Sequence, residues 1–590
     1  MRTRLGAVVA AILAVGHAAG ADVPARFDGP LARALKSELA RGRALTMPGA
    51  GTTYHLAYRV LDTQSIRIEA DRGGLVERRQ WRQRRLAVDM RVGDRNLDSS
   101  NYEDVGFRDR ALLTIDDNLA VLQRQIWLAT DAAYKDAAER LEKKRAFVAS
   151  RTAPRPPELS IESPAQTIVE REPPALDADA LAALAIELSA AMPLAAPAPY
   201  DGRVRIDASS TGRTYIDSDG TFAYEPSQLI TIEVSASMQG DDDATVVGFT
   251  TARAVSMATL QGRERLLADV TAMMKQLDAQ RRAPVTGAYA GPVLFEGEAG
   301  PQLLRYLLAG NLCGTPRPAG MRNERMAGSM GLALETELGD RVGKTVLPAG
   351  FDVVDDPLAD RIGNSPLFGG YAADDEGRPA ARVTLVHDGI LRAFLMSRTP
   401  RIGMLQSNAH GRGLDSVRAH PANLLVSTSR GVSAAELRRK LLAEAKRAGE
   451  KYGLRVRALD DPGITGRYQE RADMFEMLMG GGGAARVPAP LQVYRVWPDG
   501  REELVRGALF AQIPVTALRE LLAAGKDTQV HDYLDVSDGG LFGMMAAMFG
   551  AEENGDLPVS LAAPALLLRR VEVHPAERTA AKPYVLSPPK

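Results

Sequence analysis

The chain has 590 residues, 45% hydrophobic and 25% charged, a composition that supports at least two packed domains. Its 73 basic and 74 acidic side chains leave a formal net charge of -1, and no basic tract stands out, which argues against nucleic-acid binding as a primary role. The only cysteine, Cys313, cannot form an intrachain disulfide, so packing alone holds the fold, and a small buried hydrophobe is favoured there over a nucleophile or metal ligand.

Arg2 and Arg4 precede an uncharged apolar run, Leu5 to Val15, and Ala19-Gly20-Ala21 offers small residues before Asp22. This is the pattern of a secretory signal peptide over residues 1–21, and the run is too short to cross about 30 Å of hydrocarbon. Asp22, not a cysteine, directly follows the cleavage site, so a lipoprotein anchor is not supported, and no later segment is apolar enough to span; an exported, periplasmic protein without a stable membrane span is expected.

Leu31, Leu35, Leu39 and Leu45 predict a helix within 22–45. Alternation at 54–60, 65–70 and 86–92 predicts strands, and a stripe from Leu122 to Leu141 predicts a long helix over 117–151. A Pro-rich stretch over 152–175 is expected to be an extended surface connection. Helix 177–192, strands 202–207 and 227–234, and helix 256–281 complete an N-terminal α+β domain over 22–286. From 287 to 577 the chain turns to short strands and glycine turns, with a helix over 298–308, hairpins at Asp388-Gly389 and Asp499-Gly500, and a helix over 434–452. The expected fold class is α+β: an N-terminal α+β domain, then a β-rich, barrel-like C-terminal domain. Gly480 to Gly483 predict a flexible loop, and 578–590 a frayed tail.

The second half carries a series of segments in a characteristic order. They are Gly291-Pro292-Val293-Leu294-Phe295-Glu296-Gly297-Glu298-Ala299, Leu338-Gly339-Asp340-Arg341-Val342, Val353-Val354-Asp355-Asp356-Pro357, Asp374-Asp375-Glu376-Gly377-Arg378-Pro379, Phe394-Leu395-Met396-Ser397-Arg398, Ser407-Asn408-Ala409-His410-Gly411-Arg412 and Val496-Trp497-Pro498-Asp499-Gly500. This order and spacing resemble the TldD/PmbA metallopeptidase family, also called the modulator-of-gyrase family. The resemblance implies a two-domain protein. It also implies that active members are zinc enzymes with a His-Glu-x-x-x-His helix, working as dimers on peptides, alongside members that lack the motif and pair with an active relative. Carried onto this chain, the motif falls on Gly297, Glu298 and Gln302; a rival frame falls on Asn323, Glu324 and Gly328. Neither frame supplies an imidazole, and the family's late cysteine ligand has no counterpart.

Among the remaining candidates, His410-Gly411-Arg412 resembles a loop beside the family's cleft, where a guanidinium can grip a peptide carboxylate or simply bond a neighbouring loop. The acidic run Asp374-Asp375-Glu376 suits a hard cation or, more simply, a solvated turn. Without a metal to acidify water, Glu298 is a vestigial general base, favoured at a helix start by the dipole. The expected function is a non-catalytic subunit that binds no zinc itself and pairs with an active homologous subunit in peptide processing. An active metallopeptidase with other ligands and a stand-alone scaffold are the alternatives.

Overall fold

The computed structural model describes residues 29–46, 51–102, 111–151, 154–173, 175–242, 244–320, 336–461, 464, 487–536 and 556–576. The segment 1–21 expected to be a signal peptide, the frame at 323–328, the glycine run and the tail from 578 lie outside them. The first unit comprises α1 (Pro30–Arg43), β1 (Thr53–Asp71), β2 (Gly74–Asp94), β3 (Leu97–Asp98), β4 (Ala111–Leu113), α2 (Leu119–Ala149), β5 (Gln166–Ile168), α3 (Ala178–Ala195), β6 (Asp201–Asp217), β7 (Phe222–Gln239), β8 (Thr245–Ala254) and α4 (Arg263–Arg282).

Where alternation predicts separate short strands, the chain makes two strands of 19 and 21 residues. Arg72 and Gly73, both with positive φ, turn one into the other, and pairing runs from Asp71–Gly74 to Thr53–Val92. The polar stretch of β2 that breaks the apolar pattern stays in register because its backbone is paired to β1 throughout, whatever its side chains meet. The eight-stranded sheet runs β3-β2-β1-β6-β7-β5, with β4 beside β2 and β8 beside β7.

Side chains alternate across this sheet. Leu56, Tyr58 and Val60 pack with Leu35, Leu122 and Ile126 of α1 and α2, and Ile66, Ile68, Ile206 and Ile232 with α3 and α4. Helix α3 is long and apolar enough to cross a membrane, yet its Leu181, Ala185, Leu188 and Met192 are buried against the sheet. All four helices thus cover one face, and the opposite face meets the second unit, where Ala57, Tyr215 and Ala223 enclose Ala373.

The second unit is built on a mixed eleven-stranded sheet. Its long strand Asp556–Pro575 pairs antiparallel with Tyr289–Phe295 and Leu521–Val536, and parallel with Asn423–Thr428. Among the described residues the terminal strands of the path, Ile390–Leu391 and Glu502–Val505, do not pair with each other, and no closed barrel forms. Helices α5 (Ala299–Leu304) and α6 (Ala434–Arg447) flank it. The architecture is α+β in two units.

Two expectations change at the seam. The Pro-rich stretch is extended but not superficial: Glu158, Leu159 and Ser160 are buried, and the Ser160 amide donates to the Arg398 carbonyl at 2.9 Å. The acidic run is not solvated either. Asp374 and Glu376 are buried, and Asp374 accepts from the amides of Glu376, Arg378 and Gly411. Asp375 accepts from Arg213 of β6 at 2.9 Å, so the run clamps the units together. Backbone amides and guanidinium groups satisfy these carboxylates, and no cation is needed to hold the turn.

Candidate functional site

A cavity of about 1260 Å³ lies between the uncovered face of the first sheet and the second unit. Arg67, Trp81 and Arg253 are among the first unit's contributions, and Arg305, Arg412 and Asp461 among the second's. A concave site of this size at a domain seam is where a ligand is expected.

Helix α5 brings the second unit's chain to this cavity. The strand Tyr289–Phe295 delivers it, Glu298 is its N-cap residue, and Pro301 sits in its first turn, where no backbone donor is lost. Gly300 packs so closely on the central strand that a Cβ would stand 2.7 Å from the Pro564 carbonyl. After Leu304 the helix widens into a π turn over Arg305–Ala309, a feature frequent at functional sites.

The sequence-predicted positions fall as follows. Gly297 precedes the helix with φ +59°, a left-handed conformation that glycine adopts without strain. Glu298 keeps an exposed surface, yet the protein packed around it desolvates its carboxyl and raises its pKa; Arg253 opposes this effect and Asp269 adds to it. Gln302 is buried, and its Oε1 accepts from the Leu459 amide at 2.8 Å, which ties α5 to the neighbouring strand. His410 is buried with Nδ1 2.8 Å from the Asn408 carbonyl and Nε2 3.0 Å from Asp355, so both ring nitrogens are used in holding its loop. Of these five residues only Arg412 lines the cavity. It is 2% exposed, donates to the Pro421 carbonyl at 2.5 Å, lies 5.3 Å over the Tyr371 ring, and has an Nε with no hydrogen-bond partner.

Two further charges that face the cavity, Arg305 and Arg253, were not singled out by sequence. Arg305 pairs with Asp461 at 3.1 Å and lies 4.2 Å over Tyr533. Burial opposes its charge, but Tyr306 and Asp461 outweigh that and hold the guanidinium above its ordinary range. Arg253 of β8 donates to the Asp532 carbonyl at 2.6 Å and approaches Glu233 only to 3.9 Å. Burial lowers its pKa despite Glu233 and Asp461. A lone arginine inside the apolar run Leu303 to Leu308 was the available signal for Arg305; Arg253 sits in an ordinary alternating strand and had none. Cys313 bonds the Ala309 carbonyl weakly at 3.6 Å, and burial raises its thiol pKa, so it is not poised as a nucleophile.

The residues at α5 do not fit a zinc ion. A glycine, an exposed glutamate and an amide engaged with backbone are followed by a guanidinium, and a guanidinium has no lone pair to donate. Among the described residues no group of three or more His, Cys, Asp or Glu is arranged to hold a metal.

Comparison with known proteins gives three kinds of match. Residues 287–449 match the model of the PmbA/TldA metallopeptidase C-terminal domain. A metalloprotease of Archaeoglobus fulgidus is 32% identical over 95 residues, 16% of this chain and 21% of its own length, so the match spans about a fifth of that relative. The fold resembles that of TldE from Thermococcus kodakarensis, with TM-score 0.55, 13% identity, and coverage of 92% of this chain and 100% of that one. It also resembles modulators of DNA gyrase from Thermotoga maritima (TM-score 0.54, 12% identity, covering 92% and 99%) and Bacteroides thetaiotaomicron (0.52, 11%, covering 92% and 98%).

Proposed function

We propose that this chain, a member of the TldD/PmbA family by its domain match at 287–449 and its fold, is an exported, catalytically silent subunit that binds peptide in the cleft between its two units and pairs with an active homologous metallopeptidase. The observation that carries this reading is the set of side chains around α5, the helix that leads to the cleft at Arg305. Where the family's chemistry calls for imidazoles and an activating carboxylate, this segment offers Gly297 in a left-handed turn, a buried Gln302 committed to Leu459, and Arg305 paired with Asp461. Such a set cannot acidify water, and an amide then lacks its nucleophile.

The binding half of the reading rests on the cavity's shape and chemistry. It is roomy, open to the seam, and lined by groups that suit peptide carbonyls, amides and side-chain charges. Arg412 is the residue best placed to meet a carboxylate there, since its fork is held by Tyr371 and Pro421 while its Nε remains unpartnered. The apolar leader at 5–15 supports export to the periplasm.

The test is to purify the mature chain alone, measure its metal content by mass spectrometry, and assay it on a peptide library before and after addition of the homologue bearing His-Glu-x-x-x-His. The reading expects substoichiometric zinc, no hydrolysis alone, and hydrolysis on addition of the homologue that exceeds the homologue's own. Stoichiometric zinc with hydrolysis by the isolated chain overturns it.

A further inference from the structure

Among the described residues the β1–β2 hairpin leaves an edge open. β2 is paired to β1 from Gly74 to Val92, but on its other side β4 covers only Arg84 to Leu86 and β3 only Gly93 and Asp94. Among the described residues no strand covers 74–83, a run of 10 residues, about 33 Å of backbone. An uncovered edge of this length is a template for strand addition.

The side chains along this edge are unusual for a surface exposed only to water. Leu75 is 46% and Val76 67% exposed at the hairpin tip, and Leu112 of β4 is 63% exposed at the other end. Between them Trp81 turns to the cavity, with Arg79 at 5.1 Å and Arg67 at 5.8 Å from its ring. The Trp81 Nε1 and the Gln83 Nε2 are shielded from solvent and donate to no acceptor. Two shielded donors without partners, on a strand whose outer edge is open, are what a missing neighbour leaves behind.

Charge then decides what the neighbour is. Arg78, Arg79 and Arg82 stand along residues 74–83, where Glu77 is the only acid; Arg84 and Arg85 are buried beside β4. A second copy of this strand would set arginines opposite arginines, which is destabilising across strands. An acidic strand would place carboxylates and carbonyls within reach of the guanidinium groups and of the two waiting donors.

We propose that a partner chain adds an extended acidic strand to the open edge of β2 at residues 74–83, and that this strand completes the wall of the peptide cleft beside Trp81. The inference rests on the reading of this chain as one subunit of a pair and identifies the surface that the pair uses. It also explains why that pair is made of unlike chains: the edge repels its own copy and attracts a complementary one. Arg78 and Arg82 remain engaged with Asp179 and Asp62 on the helix side of the sheet, so the edge is held straight before the partner arrives.

The experiment is to co-express the full mature chain with the homologue from the same genome that bears His-Glu-x-x-x-His, and to compare amide hydrogen exchange in the free chain and the complex. The expected result is slowed exchange confined to 74–83 and the flanking turn in this chain. The charge-reversed variant Arg79→Glu, with an unchanged circular dichroism spectrum, is expected to bind the homologue about tenfold more weakly and with a smaller salt dependence. A complex in which 74–83 exchanges as in the free chain overturns the edge assignment and leaves the pairing standing. A homodimer protected at 74–83 overturns the acidic-partner assignment. No complex at all overturns both the edge assignment and the pairing.

Discussion

Restoring the two imidazoles that the family motif calls for, by Gly297→His and Gln302→His, should damage the protein without creating a zinc site. Gly297 has φ +59°, and a residue with a Cβ pays about 1–2 kcal/mol to sit there. Gln302 accepts from the Leu459 amide at 2.8 Å in a buried setting, and an imidazole too short to reach leaves that amide unsatisfied at a cost of about 1–3 kcal/mol. The double variant is therefore expected to lose about 2–5 kcal/mol of stability. A genuine zinc site built from converging ligands returns on the order of 10 kcal/mol, enough to reverse that loss. The two effects are far enough apart to separate in urea denaturation with and without equimolar zinc, alongside metal content by mass spectrometry. The expected outcome is a destabilised variant whose midpoint zinc does not move. A variant rescued by zinc and carrying one ion per chain would refute the geometric argument, because it would show that 297 and 302 do converge on one point.

Three further outcomes follow from the same structure. Arg398 joins the units through Asp217 at 3.2 Å and Asp219 at 3.0 Å, and Asp217 is fully buried, so Arg398→Met should cost about 3–5 kcal/mol in urea denaturation; a loss under about 1 kcal/mol would contradict the seam described above. Asp532 is pushed up to about 6 by burial, against the pull of Ser560 and Arg253 and with a further push from Glu298. Because its folded-state pKa lies above the unfolded value, its contribution is complete below about pH 4 and is lost as pH rises through about 6. Asp532→Asn should thus gain about 2–3 kcal/mol over the parent between pH 4 and pH 8, and a difference independent of pH would sink the assignment. Arg412→Lys keeps the charge but loses the planar fork, and should weaken peptide binding about tenfold by calorimetry, whereas unchanged affinity would remove Arg412 from the binding surface.

The helices of the first unit were legible because their apolar residues recur at helical spacing. The long helix expected over 117–151 is observed at Leu119–Ala149, and that expected over 177–192 at Ala178–Ala195. Strand lengths were not legible. Pairing with a neighbour carries β1 and β2 through polar stretches that show no alternation, and only the backbone registers this. The last long strand, Asp556–Pro575, and its parallel pairing with Asn423–Thr428 also went unforeseen, since partners more than 130 residues apart leave no local signal. Helix 256–281 starts later than expected, at Arg263, because Ser256 and Thr259 close a turn of their own.

The site was less legible than the fold, and for a related reason. Glu298 and Gln302 were chosen because they fall on a motif, but the cleft is made by two units meeting, and what faces it depends on that meeting. The arginine at 305 looked like an interruption in a leucine run, and only the position of Asp461 and Tyr533 turns it into a feature of the cavity. Asp375 looked like surface charge, and Arg213 from the other unit makes it a clamp.

Crystals of the protein grown with zinc and measured at the zinc absorption edge test the central claim most directly. The account predicts no anomalous peak with protein ligands on the segment from Gly297 to Gly310. A tetrahedrally coordinated peak held there by side chains of this chain would contradict it.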